Sequence, residues 1–174
     1  MPTIVIPFRG ENAKQRLPEE LRASVADAML ADVAAAASEL GPTLVATGPG
    51  QGAAVSEALA NVRETPVLIV NADLPAVTPR DLLTLLGSVP ADGLAVVAAR
   101  DGTTNALALA SPALFEPVYG PGSAERFLAL GPSRLVDVPN LVDDVDTLDD
   151  LERLEQRLGP HTSAALEQGT IALG

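Results

Sequence analysis

The sequence predicts an α/β fold: a three-layer α/β/α sandwich around a mostly parallel sheet. Short apolar, β-branched runs alternate along the chain with segments of helical periodicity, the pattern of a sheet covered on both faces. Hydrophobic residues make up 47% of the chain but aromatics only 2%, so the core must be built from Ala, Val and Leu, which suits close packing of helices on a sheet. Polar, glycine-bearing segments follow several of the apolar runs, and in such sheets ligands bind at the carboxyl ends of the strands.

The elements follow in order. Residues 3–8 read as a buried strand. Residues 18–40 read as a helix, because Leu21, Val25, Met29, Val33 and Ala37 recur at a spacing of four. A second strand at 43–47 runs into Gly48-Pro-Gly-Gln-Gly52, and a short helix spans 53–62. The third strand, Val67–Val70, ends at Asn71-Ala-Asp-Leu-Pro75. Thr78 is placed to cap a helix with Pro79 in its first turn, running to Leu86. Strands at 94–99 and 106–110 are joined by Arg100-Asp-Gly-Thr-Thr-Asn105, whose Asp101-Gly102 pair predicts a turn and a nearby antiparallel strand. Gly120-Pro-Gly-Ser123 opens a helix over 124–130, and a sixth strand spans 134–138. Asp146 or Thr147 caps a last helix over 148–158, and the tail at 161–174 is weakly patterned. No repeat or linker divides the chain, so residues 1–174 are expected to form a single domain.

A formal charge of -12 argues against a nucleic-acid duplex or an anionic membrane as partner, since both need a net basic face. It leaves room for a nucleotide, which needs only a local basic pocket. The chain has no Cys and a single His, His161, which excludes a thiol nucleophile, a Cys-ligated zinc site and a multi-His metal site. No apolar run reaches membrane-spanning length and the N-terminus lacks a leader pattern, so a cytoplasmic, soluble protein is expected. The Ala- and Leu-rich helices leave a homodimer open.

Against this acidic background, Lys14, the only lysine, shares a short loop with Arg9 and Arg16 at the end of the first strand. Backbone N–H groups and cations in one loop suit a phosphate. Asp73, at the end of the third strand, is either a Mg²⁺ ligand or a simple turn acid. Asp144 and Asp146, at i and i+2 in an extended segment, point to the same side and could share a cation, although Asp146 alone reads rather as a helix cap. Gly50, Gln51 and Gly52 lie in a glycine-rich loop that opens a helix but is neither a Walker A loop nor a dinucleotide fingerprint. Ser123 is a cap or part of an anion cradle, and Thr103, Thr104 and Asn105 put three polar side chains before a buried strand. No nucleophile-base pairing is evident. Cations, glycines, hydroxyls and a few acids are the inventory of phosphoryl or nucleotidyl transfer.

Taken in order, Ala13-Lys-Gln-Arg-Leu17, Gly50-Gln-Gly52, Asn71-Ala-Asp-Leu-Pro75, Asp101-Gly-Thr-Thr-Asn-Ala-Leu107, Gly120-Pro-Gly-Ser123 and Asp144-Val-Asp-Thr147 resemble the 2-phospho-L-lactate guanylyltransferases of coenzyme F420 biosynthesis, including those that use phosphoenolpyruvate. The resemblance spans residues 3–153 and implies a Rossmann-like nucleotidyltransferase fold. It implies that GTP reacts with a three-carbon phospho-acid, with Mg²⁺, to release pyrophosphate. Arg9, Lys14 and Arg16 would grip the GTP phosphates, with Lys14 and Asp73 catalytic. Asp73, Asp144 and Asp146 would hold Mg²⁺. Thr104, Asn105, Gly120, Gly122 and Ser123 would frame the acceptor pocket, and Gly50, Gln51 and Gly52 would lie against base or ribose.

Two departures stand out. The further strand-helix unit that the family carries between its first helix and the glycine loop is missing here. The first loop is a compact Phe8-Arg-Gly-Glu-Asn12 where relatives more often have Lys-Pro. Which phospho-acid is the acceptor stays open. So do two rivals: a nucleotidyltransferase of another pathway, such as molybdenum-cofactor guanylylation, and a catalytically silent relative that binds a nucleotide or a partner protein. The Asp101-Gly-x-Thr-Asn105 segment argues against the former, because a bulky pterin needs a different acceptor pocket.

Overall fold

Strand β1 (Thr3–Pro7) lies at the heart of the sheet, and its side chains alternate between two cores. Ile4 and Ile6 enter one, Val5 the other, and all three are fully buried. That double burial is why the strand reads as a continuous apolar run. The structure is a computed structural model that describes residues 1–10, 14, 16–63 and 65–173, with only the backbone of 171–173. Residues 11–13 and 15 of the cationic-loop motif therefore lie outside the described residues.

After β1 come α1 (Glu19–Ser38), β2 (Thr43–Ala46), α2 (Gln51–Leu59), β3 (Val67–Val70), α3 (Pro79–Gly87), β4 (Leu94–Ala98) and β5 (Thr104–Leu109). A 3-10 turn, Pro112–Leu114, precedes α4 (Ser123–Leu128), β6 (Ser133–Leu135), α5 (Pro139–Val142), α6 (Leu148–Leu154) and, after another 3-10 turn at Glu155–Arg157, α7 (Pro160–Leu173). The six strands form one sheet in the order β2-β1-β3-β5-β4-β6. All pairings are parallel except those of β5, which runs antiparallel to both β3 and β4. The expected sandwich and its antiparallel strand beside the Asp101-Gly102 turn are both present. Reversal of β5 carries its first residues, Thr104 and Asn105, to the edge where β1, β2 and β3 end, because Val70 pairs with Ala106.

One core face gathers residues of α1, α3 and α5; the other gathers residues of α2 and α4, with Phe127 at its centre. Thr78 caps α3 as expected, through a reciprocal capping box with Asp81. Strand β2 is an edge, with Leu44 and Val45 41% and 46% exposed.

Several boundaries differ from expectation. Helix α2 starts at Gln51 rather than Ala53, since Gly50, at φ 86°, makes the left-handed turn into it. β6 stops at Leu135, and residues 139–142 form α5 instead of a loop, with Pro139 at a first helical position. Thr147, not Asp146, caps α6, in a second capping box with Asp150. The tail is the largest correction: it is helix α7, packed along α1. Buried Asp32 of α1 accepts hydrogen bonds from the N–H groups of His161 and Thr162 (3.0 and 2.8 Å) and from the Thr162 hydroxyl (2.6 Å). No local pattern in the tail could reveal a cap supplied from α1.

Candidate active site

Asp73 sits in the tight segment after β3, where Val145 N–H bonds to its carbonyl at 3.0 Å. That bond ties the β3 loop to the strand-like run 143–146. In that run Val145 is fully buried against α1 and α6, so Asp144 and Asp146 face the other way, toward Asp73. One carboxylate oxygen from each of the three acids lies within 4.8 Å of the others. Lys14 joins them: its ammonium donates to Asp73 Oδ2 at 2.6 Å and to Asp146 Oδ1 at 2.9 Å, with the lysine side chain only 7% exposed.

The electrostatics follow from that crowding. Burial alone would lower the Lys14 pKa, but the charge of Asp73 and the hydrogen bonds to Asp73 and Asp146 outweigh it and raise the pKa above the ordinary lysine value. Burial, the charge of Asp73 and then that of Asp146 push Asp144 up to about 6, against a hydrogen bond from Asn105 that works the other way. Asp143, one residue earlier, is satisfied differently. Burial would raise it, but three guanidiniums, Arg157, Arg100 and Arg153, bond it at 2.7 to 3.0 Å and hold it down at about 2. This network fixes the chain beside Asp144.

The acids fit a divalent cation on two grounds. Oxygen ligands bind such ions at about 2.0–2.6 Å, so three oxygens this close can share one. Asp73 Oδ1 is buried with no hydrogen-bond partner among the described residues, an orphan that a cation would satisfy.

Beside the acids runs an open cleft. It is lined by Arg9, Gly10, Lys14, Gln51, Asn71 and Asp73. Farther along, Arg9, Gln51, Gly52, Thr104, Gly120 and Ser123 line its continuation. Gln51 Nε2 donates to Asn71 Oδ1 at 2.8 Å and Asn71 Nδ2 to the Thr104 carbonyl at 3.0 Å, a bridge from α2 through the β3 loop to β5. Thr104 and Ser123 share a buried hydroxyl contact of 2.8 Å. A Cβ on Gly52 would stand 2.7 Å from Pro117 Cβ, so glycine lets α2 close against the 117–120 loop. Arg126 staples that loop, donating to the carbonyls of Val118, Tyr119 and Pro121.

Most of the sequence-predicted site residues thus meet in one cleft: Arg9, Lys14, Gln51, Gly52, Asp73, Thr104, Gly120, Ser123, Asp144 and Asp146. Gly50 lines an adjoining recess with Phe8 and Gly48. Arg16 is exposed and is not among the lining residues. Gly122 caps α4 in the left-handed conformation. Asn105 is buried, and its amide donates to the carbonyls of Leu141 (3.0 Å) and Val142 (3.1 Å) and to Asp144 Oδ1 (3.2 Å). It positions an acid rather than lining the cleft. Sequence reasoning missed Asn71 and Arg126 as site-shaping residues, although Asn71 stood in a quoted motif. It also missed Asp143, whose signal was an acid adjacent to two others.

The sheet order, the one reversed strand and a cleft flanked by acids at the strand ends define a nucleotidyltransferase fold. A family model described as a MobA-like NTP transferase domain matches residues 4–130, and the chain belongs to that family. It is 40% identical over 128 residues to a phosphoenolpyruvate guanylyltransferase from Streptomyces scabiei, covering 68% of this chain and 59% of that protein. It is 33% identical over 191 residues to a 2-phospho-L-lactate guanylyltransferase from Natrialba magadii, covering 85% and 80%. The chain thus spans little more than half the length of the Streptomyces relative. Among solved structures it resembles Rv0371c of Mycobacterium tuberculosis (24% identity, TM-score 0.59, covering 90% of this chain and 98% of that one). A manganese complex of the same protein superposes with a TM-score of 0.54 at 22% identity, covering 88% and 97%. Among the described residues no helix is long and apolar enough to cross a membrane.

Proposed function

We propose that this chain is a Mg²⁺-dependent guanylyltransferase that joins GMP, from GTP, to 2-phospho-L-lactate or phosphoenolpyruvate in coenzyme F420 biosynthesis. The observation that carries the reading is the carboxylate trio of Asp73, Asp144 and Asp146 beside Lys14, at the mouth of a cleft that also holds Arg9, Thr104 and Ser123. The names of the guanylyltransferase relatives support the choice of guanine and of a phospho-acid acceptor. The acidic trio supports a divalent cation, as does the manganese complex of a protein of the same fold.

The reaction needs little covalent chemistry from the protein. An acceptor phosphate oxygen attacks the α-phosphorus of GTP, the bond from that phosphorus to the bridging oxygen breaks, and pyrophosphate leaves with the electron pair. The product carries a new pyrophosphate linkage between guanosine and the acid. A divalent cation bound by the trio would supply charge neutralisation on the phosphates. Arg9, which lines the cleft, is placed to neutralise a phosphate, whereas Arg16 lies outside that lining. Gly50 and the first residues of α2 offer backbone N–H groups to the nucleotide. The Thr104 and Ser123 hydroxyls, with Gly120 at φ 115°, give the far part of the cleft a polar wall for the acid.

The test is product analysis by mass spectrometry after incubation with GTP, Mg²⁺ and each acid, for the wild type and Asp73→Asn. A guanylylated acid from the wild type and none from a folded Asp73→Asn is expected. Equal product from both removes Asp73 from the chemistry.

A further inference from the structure

The cationic loop and the acidic trio were read as two half-sites, one for phosphate and one for metal. In the structure they are in direct contact. Lys14 bonds Asp73 Oδ2 at 2.6 Å and Asp146 Oδ1 at 2.9 Å, and these are two of the three acids able to share an ion. The ammonium therefore occupies the position of a cation. An ammonium on Asp73 Oδ2 and Asp146 Oδ1 already engages two of the three carboxylates that an ion would draw on. A monocation satisfies two of the acids only: Asp73 Oδ1 is left without a partner and Asp144 receives nothing from Lys14. The trio carries more negative charge than Lys14 neutralises. Two cations in contact with the same two carboxylates, one of them borne by a lysine side chain only 7% exposed, would repel each other.

We propose that the Lys14 ammonium and the divalent cation are alternative occupants of the Asp73–Asp144–Asp146 cage. Lys14 holds the acids together before the nucleotide arrives, lowers the site's affinity for metal alone, and moves to the nucleotide's phosphates when metal and nucleotide enter together. This rests on the reading of the trio as the cation site. The geometry permits the move. Lys14 lines the same cleft as Arg9, Gln51 and Asn71, so a side chain that leaves the carboxylates emerges where a triphosphate would lie. The consequence is ordered loading: metal binds well only when a nucleotide can take over Lys14.

The probe is Mn²⁺, with free ion followed by electron paramagnetic resonance in the absence of substrates. Replacing Lys14→Met removes the competing charge and keeps the length of the side chain. Mn²⁺ should then bind about tenfold more tightly or better, since a cation bonded to two carboxylates no longer has to be displaced. A non-hydrolysable GTP analogue should tighten Mn²⁺ binding far more in the wild type than in Lys14→Met. Equal or weaker Mn²⁺ binding by Lys14→Met, still lost on adding Asp73→Asn, overturns the competition while leaving the metal site intact. Mn²⁺ binding that survives Asp73→Asn, or none in either protein, overturns the metal site and the competition with it.

A second measurement needs no variant. Lys14 is the only lysine in the sequence, so its ε-amine is read without interference from any other lysine. Acetylation of Lys14 at fixed pH, read by peptide mass spectrometry, should accelerate severalfold when Mg²⁺ alone saturates the site. An unchanged rate at saturation means that Lys14 stays on its carboxylates, and the proposal fails.

Discussion

Replacing Asp144 with asparagine should make the metal-free protein more stable at neutral pH. The Asp144 carboxyl is pushed from an ordinary 3.8 to about 6, chiefly by burial and by the charge of Asp73. A carboxyl raised in the folded state binds its proton more tightly there than in the unfolded chain. Stability is therefore lost as pH rises from about 4 to about 6, and the loss is constant above that. Two pKa units at 1.36 kcal/mol each set an upper bound of ~3 kcal/mol, which solvent screening of a half-buried group trims to ~2 kcal/mol. Asparagine keeps the shape and still offers an oxygen to Asn105, whose amide stands 3.2 Å from Asp144 Oδ1. The assay is urea unfolding in a metal chelator at pH 5 and pH 7.5. At pH 5, inside that window, the variant's advantage should be about half its full value, because the unfolded carboxyl is already ionised while Asp144 still holds its proton. At pH 7.5 the variant should be more stable by ~2 kcal/mol. Saturating Mg²⁺ should reverse the order, because a ligand at a hundred times its Kd adds ~2.7 kcal/mol to the state that binds it. A variant no more stable than wild type at pH 7.5 in chelator would refute the strained-acid reasoning.

Other outcomes follow from the same contacts. Asp32→Ala removes a buried carboxylate that accepts from His161 and Thr162, and should cost ~3 kcal/mol, with hydrogen exchange accelerating first in α7. Asn105→Ala removes a donor from the carbonyls of Leu141 and Val142, the latter keeping the Asp144 N–H. It should cost ~2–3 kcal/mol in unfolding experiments and weaken Mn²⁺ binding in calorimetry, because Asp144 loses its orientation. Gly52→Ala drives a methyl group into Pro117 and should raise the KM for the acid roughly tenfold while leaving the melting temperature close to wild type, since a shift of well under 1 Å is enough to misplace a substrate. Lys14→Met should lower GTP affinity by ~1.5–3 kcal/mol even as metal alone binds more tightly, two opposite signs from one substitution that equilibrium titrations can separate.

The sheet was legible because its strands are buried on both faces. Val67–Val70 reads as a run of four apolar residues for the same reason that it is fully enclosed. Local chemistry was legible too: Thr78 and Pro79 open α3 through a capping box with Asp81 that lies within one turn. Asp144 and Asp146 could be paired from the extended i, i+2 spacing, with Val145 buried on the opposite side. What the sequence hid depends on contacts far along the chain. Lys14 reads as a phosphate-binding loop cation, and its carboxylate partners stand 59 and 132 residues away. Helix α7 reads as a tail, because Asp32 caps it from α1. Asn105 reads as a pocket residue, because nothing local shows that its amide points at residues 141–144. Asp143 looks like its neighbours until three arginines, from the β4–β5 connection, α6 and the following 3-10 turn, converge on it.

The most direct test of guanylyl transfer is pyrophosphate release with Mg²⁺, each of the four common NTPs being offered with phosphoenolpyruvate, 2-phospho-L-lactate or 3-phosphoglycerate. Release confined to GTP with phosphoenolpyruvate or 2-phospho-L-lactate, and absent in Asp73→Asn, is the expected result. No release from folded protein with any pair, or release that needs no acid, would contradict it.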